Sequence, residues 1–404
     1  MSADADRFLL RWAGWSIPRK AFFVLIVGVV VAALGYVFSA ALRSTQFYRY
    51  LKASERGWTD RVFTADDELG FAPVHGSAGR ELLPMVPPIP ARFDADGFRI
   101  PDAPPPEPAL RRALLALGCS WTYGAACRAE DTFALRAAAA LGLRPLNAGV
   151  PSYGLAQMVL LARRLVPRER PAYVLVQYSE WLVRRSQSWV ADTEYGYVPT
   201  PFFAAAPEGV RLHPPLFRGW AFDLPVSAYR RSVAGIFDYL AFTGRAGMPL
   251  IVHDDFQMAV LLARRRLGGL PAPGGAEEIL KASYSEIAEL CRRSGARMVV
   301  VLLGPEPPAA WRAWLAGLPG VTLVDAAAAL CARLPSGCTN PMPLADDGYV
   351  RAYAHWAGAP PRQIDLHPNP VAHAVIAEEI VRAISIEQGG AVSHPLEPPR
   401  SRRE

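Results

Sequence analysis

The sequence predicts an α/β protein, a three-layer sandwich around a parallel sheet, preceded by one N-terminal transmembrane helix. Three observations carry that prediction. Residues 21–42 form an uncharged apolar run, long enough to cross the hydrocarbon core of a bilayer. From Arg111 onward, short apolar runs alternate with longer helical patterns, the rhythm of βαβ units. The runs ALLALG, YVLVQYS and MVVVLLG are apolar through their middles, as strands buried on both faces must be.

The span comes first. AFFVLIVGVVVAALGYVFSAAL, residues 21–42, is longer than the apolar region of a signal peptide, and FSAALRS is a poor cleavage site, so an uncleaved signal anchor is expected. Basic residues flank both ends: Arg7, Arg11, Arg19 and Lys20 before it, Arg43, Arg49, Lys52, Arg56 and Arg61 after it. Their balance leaves the positive-inside rule without a preference. The expected arrangement has residues 1–20 as a cytoplasmic segment and the large domain outside the cytoplasmic membrane, for the chemical reason given below. The bilayer is then one partner of the chain.

Residues 43–108 form a juxtamembrane and proline-rich lead-in, with PMVPPIP and PDAPPPEP. Its prolines exclude long helices and predict extended loops wrapping a domain. The main domain is expected over 109–386. ALLALG begins it as a buried strand, and DTFALRAAAALGL follows as a helix with Asp131 as N-cap and Gly142 at its C-terminal end. RPLNAGV is a second strand, YGLAQMVLLARRLV an amphipathic helix and PAYVLVQYS a third strand. Between about 186 and 275 the alternation breaks into an aromatic and proline-rich insertion, with helix-like pieces near 227–243 and 255–267. Its rings suit either a sugar-stacking groove or ordinary core packing. The rhythm resumes with a helix over Ala276–Ser294, the strands ARMVVVLLG and VTLVDA, and PVAHAVIAEEIVRAI as the C-terminal helix; residues 387–404 read as a disordered tail.

Composition excludes some functions. Hydrophobic residues make up 51% of the 404 and charged residues 20%, which fills a sizeable core and argues against a disordered chain. The net charge of +6 comes with no nucleic-acid-binding motif, so a solvated basic surface is expected and no nucleic acid as partner. The five cysteines contain no CxxC, and no Cys/His spacing suits zinc, so neither metal nor organic cofactor is expected. His253, Asp254 and Asp255 read as a helix cap. Cys331 and Cys338 bracket a Pro-Ser-Gly turn and could pair in an oxidising compartment.

In open α/β sheets, functional groups collect past the carboxyl ends of the strands. There the sequence places Gly118-Cys119-Ser120, Asn147-Ala148-Gly149 and Gln177-Tyr178-Ser179-Glu180, while Asp365 and His367 lie just before the last helix. A serine hydroxyl needs a base, and that base needs an orienting acceptor. Ser120, His367 and Asp365 can supply the three. Backbone N–H groups of Ser120 and Gly149 could face a developing oxyanion. Cys119 reads as a small buried neighbour, and His373 as a residue packing the last helix on the sheet.

These blocks resemble the SGNH/GDSL hydrolase family. LALGCSWTYG is similar to its first block, with Cys119 where aspartate usually stands; LNAGVPSYGLAQ resembles the second, IDLHPNPVAHAVIAEEI the last, and FDADGFRI a lead-in of many members. The resemblance covers roughly residues 66–384 and implies a flavodoxin-like three-layer α/β/α sandwich with a Ser120, His367, Asp365 triad. The third block departs. Where the family has Gly-x-Asn-Asp with a donating asparagine, this chain has SEWLVRR, leaving the Trp181 indole N–H as a substitute donor.

The resulting expectation is a membrane-anchored serine esterase that removes acyl groups from an envelope or exported carbohydrate. Its substrate is an acylated carbohydrate or another small ester. The same triad fits an O-acetyltransferase in polysaccharide modification. A catalytically inactive scaffold of an export or assembly complex is the alternative that the altered third block raises.

Overall fold

The computed structural model describes residue 12 and residues 14–53, 57–103, 112–193, 196–219, 260–304, 307–338 and 345–389. The chain divides into two units, Met1–Ser54 and Glu55–Glu404.

The described residues of the first unit include the helix Ile17–Ala53, which begins before and ends after the apolar run. Its Ile17–Gly35 stretch is apolar enough to cross a membrane and none of it is buried in protein. At 1.5 Å rise per residue, the whole helix is about 55 Å long, well beyond the ~30 Å of a hydrocarbon core.

In the second unit, the chain forms strands β1 (Gly57–Trp58), β2 (Phe63–Asp66), β3 (Gly70–Pro73), β4 (Ala78–Leu82), β5 (Ile89–Phe93), β6 (Arg99–Ile100), β7 (Ala113–Leu117), β8 (Arg144–Asn147) and β9 (Tyr173–Tyr178). There follow β10 (Val190–Thr193), β11 (Gly196–Pro199), β12 (Phe202–Ala206), β13 (Gly209–His213), β14 (Arg297–Leu302), β15 (Val321–Val324), β16 (His355–Ala357) and β17 (Arg362–Asp365).

Nine strands make one sheet in the order β1-β4-β5-β6-β8-β7-β9-β14-β15. Its five members β8, β7, β9, β14 and β15 are parallel. Numbered along the chain, these run 2-1-3-4-5, the flavodoxin-like order. β7, β9 and β14 read ALLAL, YVLVQY and RMVVVL and are buried almost throughout. Each fully buried leucine of β7 contributes about 1.5–3 kcal/mol. Helices cover both faces: Leu155–Glu169 packs with Ala276–Ser294, and Phe133–Ala140 packs with Pro370–Glu387. The switch point lies between β7 and β9, where the chain turns to opposite sides of the sheet, and a crevice opens at their carboxyl ends.

Three local expectations change. The lead-in does not wrap the domain as loops. β1, β4, β5 and β6 extend the sheet in antiparallel fashion from the edge of β8, with the prolines of PMVPPIP placed mainly between strands. The helix expected from DTFALRAAAALGL runs over Phe133–Ala140 and is capped by Thr132, whose hydroxyl accepts from the Leu135 amide, while Asp131 pairs with Arg136. In the insertion the described residues form two hairpins, β10–β11 and β12–β13, and residues 260–266 are helical. The expected piece at 227–243, the His253 cluster and nearly all of the expected tail lie outside the described residues.

The expected disulfide is present between Cys331 and Cys338, leaving Cys119, Cys127 and Cys291 as buried free thiols.

Candidate active site

β7 delivers the first group. It ends at Leu117, and Ser120 opens a single helical turn, Ser120–Tyr123, closed by Gly124 in the left-handed region at φ 81°. Gly118 permits this abrupt change of direction. A Cβ there would lie 2.0 Å from the Thr122 hydroxyl and 2.6 Å from Gln177 Oε1. Ser120 is buried but for 7% of its surface.

The second and third groups come from the end of β17, which closes at Asp365, and from the loop that follows it to the C-terminal helix. Asp365 Oδ1 accepts the His367 backbone N–H at 2.5 Å and the His367 Nδ1–H at 2.7 Å. Because a carboxylate only accepts, this contact assigns the proton to Nδ1 and leaves Nε2 as the basic nitrogen. The loop is fixed at both ends. Asn369 caps the helix by accepting from the Val371 and Ala372 amides and donates to the Ala352 and Ala354 carbonyls. Cys127, just past the serine turn, donates to the Pro368 carbonyl at 3.4 Å. That thiol is thereby a direct link between the serine-bearing and histidine-bearing segments.

Ser120 and His367 line one cavity of about 150 Å³. Trp58, Phe63, Phe71 and Glu81 form one wall, all from the lead-in. Pro151, Ser152, Thr193 and Arg185 contribute the rest together with Ala125. The sequence leaves two readings of the insertion's rings, a sugar-stacking groove or ordinary core packing, and the described ones do not line this cavity. Instead Trp189 and Phe202 pack with Ala204 and Leu261 in a small separate core, and the cavity's rings come from residues 58–71.

The two side donors expected at the oxyanion have other duties. The Gly149 N–H donates to Asn147 Oδ1 at 3.0 Å. What its lack of a side chain permits is close packing: a Cβ would lie 2.4 Å from the Tyr123 amide nitrogen. Asn147 Nδ2 in turn donates to the Thr122 carbonyl at 3.0 Å, so the second block braces the serine turn. Trp181 packs against Trp121 in a tilted arrangement, centroids 5.2 Å apart, and is not among the residues lining the cavity with Ser120.

Gln177, at the end of β9, is the hub beneath the serine. Its Oε1 accepts from the Cys119 amide at 3.0 Å and the Thr122 hydroxyl at 2.9 Å; its Nε2 donates to Cys119 Sγ at 3.2 Å and Ser179 Oγ at 3.0 Å. Burial pushes the Cys119 thiol up, but the Arg185 charge and N–H groups of Trp121, Trp181 and Gln177 outweigh it, and the thiol lies below its ordinary value. Cys119 stands where the resembling family has aspartate, and its sulfur holds an acceptor position of the kind a carboxylate fills.

A second hub is Arg99 on β6. Its guanidinium donates to the carbonyls of Tyr123, Gly124 and Cys127, the chain leaving the serine turn. FDADGFRI is therefore a hairpin. Asp94 Oδ1 accepts from the Asp96 and Phe98 amides, Gly97 turns at φ 84°, and Arg99 is carried under the turn. His373 packs the last helix as expected: Nδ1 accepts from the Phe133 amide at 3.1 Å, and the two rings stack. Burial holds its pKa well below the usual 6.5, so it stays neutral. Among the described residues no cluster of three His, Cys, Asp or Glu side chains could hold a metal ion.

No family model and no curated protein matches the chain. Solved structures do. One is a protein of the G-D-S-L family from Desulfitobacterium hafniense DCB-2, 10% identical over 67% of this chain and 99% of that one, TM-score 0.32. A second is TesA, 12% identical over 68% of this chain and 99% of that one, TM-score 0.32. A third is a carbohydrate esterase family 2 enzyme with a carbohydrate-binding domain from Myceliophthora fergusii. It is 13% identical over 83% of this chain and 88% of that one, with a TM-score of 0.31.

Proposed function

We propose that the protein is a membrane-anchored serine esterase that removes short acyl groups from an envelope or exported carbohydrate. The observation that carries this reading is the joint exposure of Ser120 and His367 to one cavity, with Asp365 holding His367 Nδ1 at 2.7 Å.

Ser120 Oγ attacks the ester carbonyl carbon while its proton passes to His367 Nε2. The carbonyl π pair moves to the oxygen, and the Ser120 amide, at the start of the helical turn, faces that charge. Collapse breaks the bond to the alcohol, which takes the proton back from Nε2. Water repeats the sequence on the acyl-serine and releases the acid. Asp365 stays ionised and stabilises the imidazolium.

The acyl group is taken to be short because Ser120 is buried but for 7% of its surface, among the rings of Trp58, Phe63 and Phe71. The cavity's aromatic wall and the polar Glu81 and Arg185 suit a sugar bearing that acyl group, since rings present flat apolar faces and the charged groups meet hydroxyls. The anchor helix and the Cys331–Cys338 disulfide support a location outside the cytoplasmic membrane, where disulfides persist.

The test is hydrolysis of aryl acetate and longer acyl esters, with labelling by a fluorophosphonate probe. Acetate is expected to be preferred over octanoate, and Ser120→Ala to lose both hydrolysis and labelling. Unchanged hydrolysis by Ser120→Ala would sink the mechanism. An alkaline phosphatase fused after the C-terminus is expected to be active; an inactive fusion contradicts the location.

A further inference from the structure

The oxyanion formed by Ser120 needs more than one donor. Losing one from such a site costs about 10²–10³ in kcat. The Gly149 amide is taken by Asn147, and Trp181 lies off the cavity, packed on Trp121. The third block holds another cation-bearing position. On the Glu180–Ser186 helix, Arg185 follows Trp181 by four residues, hence on the same face. Its side chain lines the cavity with Ser120 and His367.

Arg184 and Arg185 are adjacent, yet the fold treats them differently. Arg184 is 71% exposed and pairs with Glu180 at 3.3 Å along the helix. Arg185 is half-buried, and its Nη1 donates to the Tyr153 carbonyl at 3.2 Å. Among the described residues that is its one side-chain hydrogen bond, which holds the planar guanidinium at the cavity wall, and arginine carries five N–H groups. Its charge is also felt at Cys119, the residue next to the nucleophile, where after burial it is the largest influence. Glu81 faces the same cavity, with Oε2 accepting from the Ala126 amide.

We propose that Arg185 is a catalytic residue that stabilises the oxyanion, in the place where a side-chain amide would otherwise stand. This rests on the serine-esterase reading above. As the Ser120 Oγ–carbon bond forms and the carbonyl pair moves to oxygen, an Arg185 N–H donates a charge-assisted hydrogen bond to that oxygen. No proton leaves the guanidinium, which stays protonated throughout. When the pair returns and the bond to the leaving alcohol breaks, the hydrogen bond relaxes, and the only proton moved is the one carried by His367.

The experiment compares full-length protein with Arg185→Gln, Arg185→Lys, Arg185→Ala, Arg184→Gln and Ser120→Ala on an acetyl ester, reading kcat and KM separately. Arg185→Gln is expected to lower kcat by about 10²–10³-fold with KM little changed. Arg185→Lys is expected to recover part of that loss through charge alone, and Arg184→Gln to match the parent protein. Guanidinium ion added to Arg185→Ala is expected to restore part of its kcat, a rescue that a misfolded variant cannot show. Loss of Ser120→Ala activity with an unchanged kcat in Arg185→Gln would overturn the proposal and leave the esterase reading standing. An Arg185→Ala variant that guanidinium does not rescue also counts against it. Full activity in Ser120→Ala would instead remove the reading beneath it.

Discussion

The Arg99 guanidinium lies over the ring of Tyr123, its Cζ 3.9 Å from the ring centroid. One residue from the lead-in thus grips the last residue of the serine turn from both its ring and its carbonyl side. Arg99 is only 1% exposed, so Arg99→Met removes its hydrogen bonds to the Tyr123 and Cys127 carbonyls, while the Gly124 carbonyl keeps the Cys127 amide. At about 1–3 kcal/mol for a buried group left unpaired, the expected loss is about 2–4 kcal/mol in urea unfolding. Arg99→Lys is expected to recover less than half, because an ammonium cannot reproduce the planar fork.

Gln177 is the corresponding point on the opposite side. Gln177→Leu strips the acceptor from the Cys119 amide and the Thr122 hydroxyl. It should destabilise by about 1–3 kcal/mol for each and lower kcat with little change in KM. Gln177→Glu keeps the acceptor but cannot donate to Cys119 or Ser179, so an intermediate result is expected. Equal stability and activity of all three proteins would show that the network is dispensable.

Gly149→Ala tests the bracing role of the second block. The new Cβ would fall 2.4 Å from the Tyr123 amide nitrogen and 2.8 Å from the Thr122 carbonyl carbon, both backbone atoms. The serine turn must shift, and kcat is expected to fall by more than the stability does. A Gly149→Ala protein with parental kcat would argue against it.

The cysteines give a counting experiment. Intact mass after alkylation in denaturant is expected to show three modified thiols without reductant and five with it. In the folded state all three free thiols are buried. Brief alkylation should therefore leave esterase activity unchanged even though the Cys119 thiol is lowered.

His373 sets an acid limit. Its folded pKa lies well below 6.5 because burial disfavours the cation, so below that value the unfolded chain binds a proton that the folded chain does not. Stability is full above about pH 6.5 and falls as pH drops, by up to about 1.4 kcal/mol per pH unit. His373→Asn, which can keep an acceptor for the Phe133 amide, is expected to flatten that slope in urea titrations at pH 5 and 7.

The parallel sheet was readable because β7, β9 and β14 are buried on both faces, and such strands write themselves as unbroken apolar runs. The serine turn and the Asp-x-His loop were readable because their chemistry is local: both Asp365–His367 contacts span two residues. Gln177 was legible as a strand-end residue but not as a hub, and Arg185 was not singled out. Their roles depend on which side of a strand end or a seven-residue helix meets the cavity, and two adjacent arginines give no period to decide it. Arg99 was visible only as part of a turn-like phrase, since its partners lie 24 to 28 residues away. The lead-in strands were hidden for a related reason. Two-residue strands such as β1 and β6 carry no alternation, and prolines between them mimic a loop.

The lead-in strands also decide where this domain can be cut. A fragment starting at Ala113 would keep the serine, histidine and aspartate but lack Trp58, Phe63, Phe71 and Glu81. It would also lose β6, whose Arg99 pairs with Asn147 at the end of β8, and so leave that edge open to another copy. In the intact chain the sheet continues past β8 through β6, β5 and β4, and the outermost strand on this side is the two-residue Gly57–Trp58, too short to template much of anything. The shortest version to express without the long apolar helix should therefore begin at Glu55.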